Sequence, residues 1–176
     1  NRITRYLLYL LGHPASENEF VRLVVNNSGV MLREDTEPVD TDFLNRNFPH
    51  GSRGELYRID DEWWFRDNWE RTMRDADWGY KGSDNPGRYR TEWMKRSVED
   101  ADDFTALIQF FKVVTENKYS QSEIEQLLDP DAVMKITAVR GYASDWDTFT
   151  QGRGKNAYFY RRTTDGRSEE HTSELQ

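Results

Sequence analysis

The chain contains no cysteine, and its longest run of apolar residues, Tyr6 to Leu11, is only six residues long. The lack of cysteine excludes disulfides and thiolate metal sites, but it leaves the compartment open. A helix that crosses a bilayer needs about 20 consecutive apolar residues, so we expect no membrane-spanning segment. The sequence begins at Asn1 and shows no signal-peptide pattern, so we expect an upstream part to be missing.

The chain also lacks an excess of basic residues. Its 24 Lys and Arg residues stand against 32 Asp and Glu residues, which gives a net charge of -8. Because an acidic chain without a basic stripe is repelled by phosphate backbones, we do not expect nucleic acid as a partner. The glycine motifs of P-loop proteins and α/β-hydrolases are absent, and the three histidines are not spaced as a metal site.

Aromatic residues, in contrast, are plentiful. They make up 14% of the sequence, while all hydrophobic residues together reach only 36%. A length of 176 residues suits one domain with a sizeable core. We therefore expect that core to rely on Trp, Tyr and Phe more than on aliphatic side chains.

The first part of the chain predicts a helix, a hairpin and a second helix. Apolar residues at helical spacing predict a short buried helix over residues 3–11. Two apolar runs, 20–25 and 30–33, flank Asn-Asn-Ser-Gly and predict a β-hairpin. A second amphipathic helix is expected over residues 39–48.

The middle of the chain predicts strands and then irregular structure. Residues 55–59 and 62–65 are rich in bulky side chains, and we expect them to pair across a turn at Asp60 and Asp61. Residues 66–97 show no clear period, which indicates loops with short elements.

Helices dominate the prediction from residue 100 onward. An apolar stripe from Phe104 to Val114 predicts a core-facing helix, capped by Asp102 or Asp103. Capping signals at Ser120 and Asp129 predict two more helices, and residues 156–160 predict a strand. The pattern is therefore that of an α+β protein, with a small antiparallel β lobe followed by a helical lobe.

The segment between the last helix and the last strand carries the clearest chemical signal. Asp147 and Asn156 bracket a Gly-Arg-Gly turn. A carboxylate that orients a hydroxyl, followed within one loop by an amide that holds Mg²⁺, is the pairing of kinase catalytic loops. The alternative is a plain hairpin turn whose polar neighbours only cap and solvate it.

Several separated segments together resemble the CotH kinase family, the spore-coat-type protein kinases and their bacterial relatives. Gly-Val-Met-Leu32 is followed by Glu37-Pro-Val-Asp40, Gly54-Glu-Leu-Tyr-Arg58 and Tyr80-Lys-Gly82. Family members show similar series in the same order, ending in an Asn-x-Asp, Lys-Asn and Tyr-x-x-Tyr signature that Asp147 to Tyr160 resembles. The resemblance spans roughly residues 20–166.

The resemblance implies an atypical protein-kinase-like fold and an ATP- and Mg²⁺-dependent transfer of phosphate to Ser or Thr of a protein substrate. It makes Asp147 the catalytic carboxylate and a metal ligand, and Asn156 a second metal ligand. Nucleotide contacts are then expected from Glu37, Arg58, Lys81, Lys155 and Trp146. The family also suggests a spore coat, cell surface or secreted location. A non-catalytic coat or surface assembly module with the same scaffold is the alternative function.

The sequence departs from the family pattern at three places. The family lysine of Leu-Tyr-Lys is Arg58 here, and the forked guanidinium does not replace an ammonium neutrally, so Lys81 is an equal candidate for the phosphate-binding cation. The usual Asn two residues before the catalytic Asp is Asp145, which we expect to bond its own backbone.

The third departure concerns the end of the chain. Residues 167–176 resemble a translated sequencing adapter, so we predict a partial domain over residues 1–166 and a non-native tail. The family's Trp-Asp-x-Asp segment, whose aspartate holds the metal, does not follow. We therefore expect the 176-residue chain to be inactive and its folding to be compromised.

Overall fold

The structure is a computed structural model that describes residues 2–27, 29–50, 52–65, 71–97, 101–116, 118–162 and 168–172, with the backbone alone for 63–65, 71–73 and 168–172. Five α-helices and eight strands lie within these ranges. The strands are short and all their pairings are antiparallel, so the fold is α+β, as predicted.

The chain starts with helix α1, Arg2–Leu10, followed by the hairpin of β1, Asn18–Leu23, and β2, Met31–Thr36. Both elements were predicted, but α1 is not a buried helix. Only Thr4 and Leu8 are buried, while Ile3, Tyr6 and Tyr9 are 72%, 61% and 73% exposed. Leu8 packs on Ile136 and Val139 and attaches the helix to the helical part of the protein.

Helix α2, Thr41–Asn47, begins where the sequence indicates. The Asp40 side chain accepts hydrogen bonds from the backbone N–H groups of Asp42 and Phe43, which satisfies two donors that a helix end leaves unpaired. Phe43 and Leu44 are buried on the sheet. The small core beneath this helix contains Val39, Phe43, Leu44, Phe48, Leu56, Tyr158 and Tyr160.

The central sheet has four strands: β3, Glu55–Ile59, β6, Trp93–Lys95, β7, Ala157–Arg161, and β8, Ser168–Thr172. Their order across the sheet is β6-β3-β7-β8. The predicted pairing across Asp60 and Asp61 is wrong, because β4, Glu62–Phe65, pairs with β5, Arg71–Arg74, and not with β3. Backbone hydrogen bonds with β6 and β7 occupy both edges of β3, so no edge remains for β4.

The main core is aromatic, as the composition predicts. Trp93 lies at its centre, with ring centroids 4.7 Å from Phe111, 4.9 Å from Trp78 and 5.6 Å from Phe159. Edge-to-face pairs of this kind add about 0.5–1.5 kcal/mol each beyond area burial. These rings join the helix of residues 105–116 to the central sheet.

The three remaining helices are α3, Thr105–Glu116, α4, Gln121–Glu125, and α5, Pro130–Tyr142. Their predicted starts are confirmed: Asp103 accepts the Thr105 N–H, Ser120 and Glu123 form a capping box, and Asp129 caps α5. The buried face of α3 includes Phe110 and Val113, whereas Val114, predicted in the stripe, is 45% exposed.

Strand β8 pairs with β7 along five residues, and it lies within the segment that we predicted to be a non-native tail. That assignment stays a prediction. Within the described ranges, no helix has the length and apolar character required to span a membrane.

A charged cluster on the loop after helix α5

The loop that links α5 to β7 folds around a left-handed turn. Residues 149–151 form one turn of 3₁₀-helix, and Gly152 follows with φ +89°. The loop is therefore not a plain β-hairpin, because no strand precedes its turn. Ser144 and Asn156 also have positive φ, at +56° and +58°, so both ends of the loop bend sharply.

The structure brings Asp147 and Asn156 together. Asn156 Nδ2 donates to the carbonyl oxygen of Asp147 at 2.7 Å and to its Oδ2 at 3.2 Å. The backbone N–H of Asn156 donates to the Ile59 carbonyl at 3.1 Å, which fixes the residue on the end of β3. The side chain of Asp147 remains 26% exposed although its Oδ1 atom is buried, so the carboxylate is held in place and only partly accessible.

Two cations from the same loop flank Asp147. Lys155 Nζ lies 3.3 Å from Asp147 Oδ2, and Arg153 NH1 lies 3.5 Å from Asp147 Oδ1. Both cations also contact Asp61 Oδ2, at 3.0 Å each, and Arg153 NH2 contacts Asp75 at 2.8 Å. We refer to Asp61, Asp147, Arg153, Lys155 and Asn156 as the loop cluster.

The contacts of the loop cluster keep both cations charged. Burial disfavours the ammonium form of Lys155, but its hydrogen bonds to Asp61 and Asp147 outweigh this effect and raise the pKa of Lys155. Burial acts in the same way against Arg153, whose pKa is nevertheless raised by Asp75, Asp61 and Asp147. Both side chains are therefore positive throughout the physiological range.

The loop cluster is supported from behind by residues 75–78. The backbone N–H of Ala76 donates to Asp61 Oδ1 at 3.1 Å, and Trp78 Nε1 donates to the Gly154 carbonyl at 2.7 Å. Gly154 lies so close to this segment that an added Cβ would be 2.1 Å from the Ala76 carbonyl oxygen. Only glycine fits at position 154 without a shift of one backbone.

A buried arginine links the two ends of the loop. Arg140, 1% exposed on α5, donates from Nε to Asp145 Oδ2 at 2.8 Å and from NH1 to the Asn156 carbonyl at 2.9 Å. We expected Asp145 to bond its own backbone, whereas its carboxylate serves as the partner of Arg140. The Arg140–Asp145 pair is a structural support for Asn156.

Lys81 is buried rather than solvated. Its side chain is 3% exposed, and Nζ lies 2.7 Å from Oε2 of Glu92, whose side chain is fully buried. Glu92 also accepts the Asp77 N–H at 3.0 Å and lies 3.4 Å from Arg74 Nε. Since Asp77 follows Ala76, the Lys81–Glu92 pair holds the same segment that supports the loop cluster.

The remaining predicted nucleotide contacts have other neighbours. Glu37 pairs with Arg46 and accepts the Glu17 N–H, so it pairs neither with Arg58 nor with Lys81. Arg58 lies 3.2 Å from Asp60. Trp146, next to Asp147, is 71% exposed, which leaves its ring free to contact a ligand.

Sequence reasoning missed Asp61, Arg153 and Glu92. We assigned Asp61 to a turn and read Arg153 only as part of a Gly-Arg-Gly turn, because local patterns do not show which distant residue will be their partner. One signal for Asp61 was present. A charged residue that follows a strand of bulky side chains can be buried, and because ionised groups are seldom buried alone, it then needs an oppositely charged partner.

The family described as CotH kinase protein matches this chain over residues 1–171. A search of curated proteins returns no match.

Proposed function

The chain belongs to the CotH kinase family, and on this premise we propose that it contributes to an enzyme that transfers the γ-phosphoryl group of ATP to Ser or Thr of a protein substrate. The observation that carries the proposal is the contact between Asp147 and Asn156. Their hydrogen bonds at 2.7 and 3.2 Å hold a carboxylate and an amide side by side, and these are the two residue types that kinase catalytic loops use.

Asp147 is the proposed catalytic residue. Its carboxylate is partly exposed and fixed by Asn156 and Lys155, so an incoming hydroxyl group can donate its proton to a carboxylate in a defined position. Lys155 lies beside it as a point charge for a phosphate oxygen. In this arrangement the protein mainly positions the groups and stabilises charge, which is the larger part of catalysis in phosphoryl transfer.

The side chains of Asp147 and Asn156 carry oxygen donors of the kind that Mg²⁺ prefers. In the part of the chain that the structure describes, Asp147 Oδ1 is buried and accepts no hydrogen bond, and the Asn156 amide turns its nitrogen towards Asp147. No group of three His, Cys, Asp or Glu side chains gathers within the described residues. This suits an ion that is held by one or two protein oxygens together with water and substrate phosphates. When bound, Mg²⁺ neutralises the charge that develops on the phosphates.

The test is phosphate transfer from ATP with Mg²⁺ by the full-length protein. Asp147→Ala is expected to lower kcat by about 100- to 10,000-fold, the usual contribution of a positioned acid or base. Asp131→Ala is the control, because Asp131 lies on the exposed surface of α5 and, within the described residues, forms an ion pair only with Lys135 four positions later. Full activity of Asp147→Ala would show that the assigned role is wrong.

A specific observation supports a second candidate, a non-catalytic coat or surface assembly module. Glu37 pairs with Arg46, Arg58 with Asp60 and Lys81 with Glu92, so none of the three is unpaired and ready for a nucleotide. Calorimetric titration of the full-length protein with ATP and Mg²⁺ separates the two functions. Heat of binding supports the kinase, and its absence supports the assembly module.

A further inference from the structure

Asp61 is the residue that joins the loop cluster to the rest of the fold. It follows β3, whereas Arg153 and Lys155 lie about ninety positions later in the sequence. Its side chain is fully buried, although a carboxylate is among the groups least often buried without a partner. A buried carboxylate lowers the stability of the fold unless a cation or a hydrogen-bond donor compensates its charge. The partners of Asp61 therefore indicate what this residue does.

The two oxygens of Asp61 have separate tasks. Oδ1 accepts the Ala76 N–H at 3.1 Å, which fixes the carboxylate to the supporting segment. Oδ2 receives both cations, with Lys155 Nζ and Arg153 NH2 at 3.0 Å. Because the carboxylate is anchored on one side, it determines where the two cations lie on the other.

Both cations reach from Asp61 to Asp147. Lys155 Nζ lies 3.0 Å from Asp61 and 3.3 Å from Asp147, and Arg153 spans the same two carboxylates with its NH2 and NH1 groups. Lysine carries a flexible stem of four carbons, so a single carboxylate partner would leave its ammonium mobile. A second partner at a fixed position removes that freedom.

We propose that Asp61 is a positioning residue that holds Lys155 and Arg153 against Asp147 and thereby places the cations that meet the transferring phosphate. This inference rests on the proposed function for its consequence in catalysis. The arrangement of the four side chains is testable without any activity. The exposed Asp75 forms an ion pair with Arg153, whereas the carboxylates paired with Lys155 in the described part of the chain are Asp61 and Asp147, so Asp75 is the matched comparison.

The first experiment measures how firmly Lys155 is held. The protein is treated with acetic anhydride, and the acetylation rate of Lys155 is followed by mass spectrometry relative to Lys118, which is 64% exposed. Asp61→Asn is expected to accelerate labelling of Lys155 several-fold, and Asp75→Asn is expected to leave it unchanged. Unchanged Lys155 labelling in a folded Asp61→Asn protein overturns the proposal.

The second experiment measures phosphate transfer from ATP with Mg²⁺ by the full-length protein. Asp61→Asn is expected to lower kcat by about 10- to 100-fold, the loss caused by a misplaced group. Lys155→Gln should lower it too, and the loss in the double variant should be smaller than the two single losses combined, because Asp61 acts in part through Lys155. Fully additive losses would indicate a merely structural role and overturn the proposal.

Two further outcomes are informative. If Asp61→Asn does not fold, Asp61→Glu keeps the charge and moves the carboxylate by one methylene, and the same rise in Lys155 labelling and fall in kcat are expected. If Asp147→Ala keeps full activity, the proposed function fails, while the labelling result still supports or overturns the position of Lys155.

Discussion

The loop side and the hairpin side of this protein are held together by different forces. On the loop side, buried charges such as Asp61 and Glu92 tie distant segments to one another. On the hairpin side, α1 and β1 expose large apolar residues, and Arg46 joins Glu17 and Glu37 at the surface. Buried charge pairs therefore fix the positions of the loop residues that resemble the family signature. Glu37, which also resembles the family pattern, lies instead among ion pairs at the surface.

The largest expected difference in stability is between two variants that each remove one cation, one on the loop side and one on the hairpin side. Lys81→Met leaves the fully buried Glu92 without its closest cation, and loss of one partner of a buried pair costs about 3–5 kcal/mol. Arg46→Met, on the hairpin side, removes a cation that is 36% exposed and should cost about 1 kcal/mol or less. Urea unfolding of both variants measures the difference, and equal losses would contradict the contrast between the two sides.

The next effect tests how the hairpin side is attached. Leu8 is fully buried against Ile136 and Val139, so Leu8→Ala should cost about 2–5 kcal/mol. Tyr9, its neighbour in α1, is 73% exposed, and Tyr9→Ala should change stability by no more than about 0.5 kcal/mol. Thermal unfolding checks both values. A small loss for Leu8→Ala would mean that α1 contributes little to the stability of the rest.

A smaller effect is expected where the loop meets its support. Gly154→Ala places a Cβ 2.1 Å from the Ala76 carbonyl oxygen, so one backbone must move, at a cost of about 1–3 kcal/mol. Gly141→Ala is the control, since a Cβ at that position in α5 meets nothing within 4 Å and should stabilise the helix by about 0.5–1 kcal/mol. Denaturant titration compares them, and a harmless Gly154→Ala would show that the loop is not tightly supported.

The smallest effect belongs to surface pairs outside both regions. Hydrogen bonds from Lys112 and Tyr80 lower the pKa of Asp84, and the Arg90 guanidinium lowers that of Asp102. A carboxyl group whose pKa is lowered by folding stabilises the protein above its ordinary value of 3.8, and this contribution is lost as the pH falls further.

The melting temperature should therefore drop as the pH decreases below about 4, and less steeply in an Asp84→Asn, Asp102→Asn double variant. Melting curves at pH 5, 4 and 3 in low salt measure this slope. If the melting temperature falls equally steeply with pH in the parent protein and in the double variant, the pairs of Asp84 and Asp102 do not cause the loss of stability in acid.

Much of the fold followed from neighbouring residues. The caps at Asp40, Ser120 and Asp129 were predicted because each acts on N–H groups two or three positions away. The hairpin was predicted for the same reason, since its turn residues lie between its strands. The two partner strands of β3 were not predicted, because both β6 and β7 come from distant parts of the chain.

The candidate site divides in the same way. Asp147 and Asn156 lie within one loop, so the sequence could propose them as a pair, and the resemblance of the upstream segments to the family favoured that pair over a plain turn. The exposure of α1 and the burial of Lys81 were not predicted, because the same apolar or charged pattern suits either environment until a neighbouring surface is known.

The sequence by itself determined the local elements, the aromatic core, the family and the central pair of the loop. Only the tertiary structure decided that Asp61 lies behind Lys155 and Arg153, and that Glu92 lies beneath Lys81. The physical reason is distance along the chain: hydrogen bonds within a few residues depend on local geometry, whereas the pair of Arg153 with Asp61 joins residues 92 positions apart. Packing of the whole sheet and its supporting segment places those two side chains together.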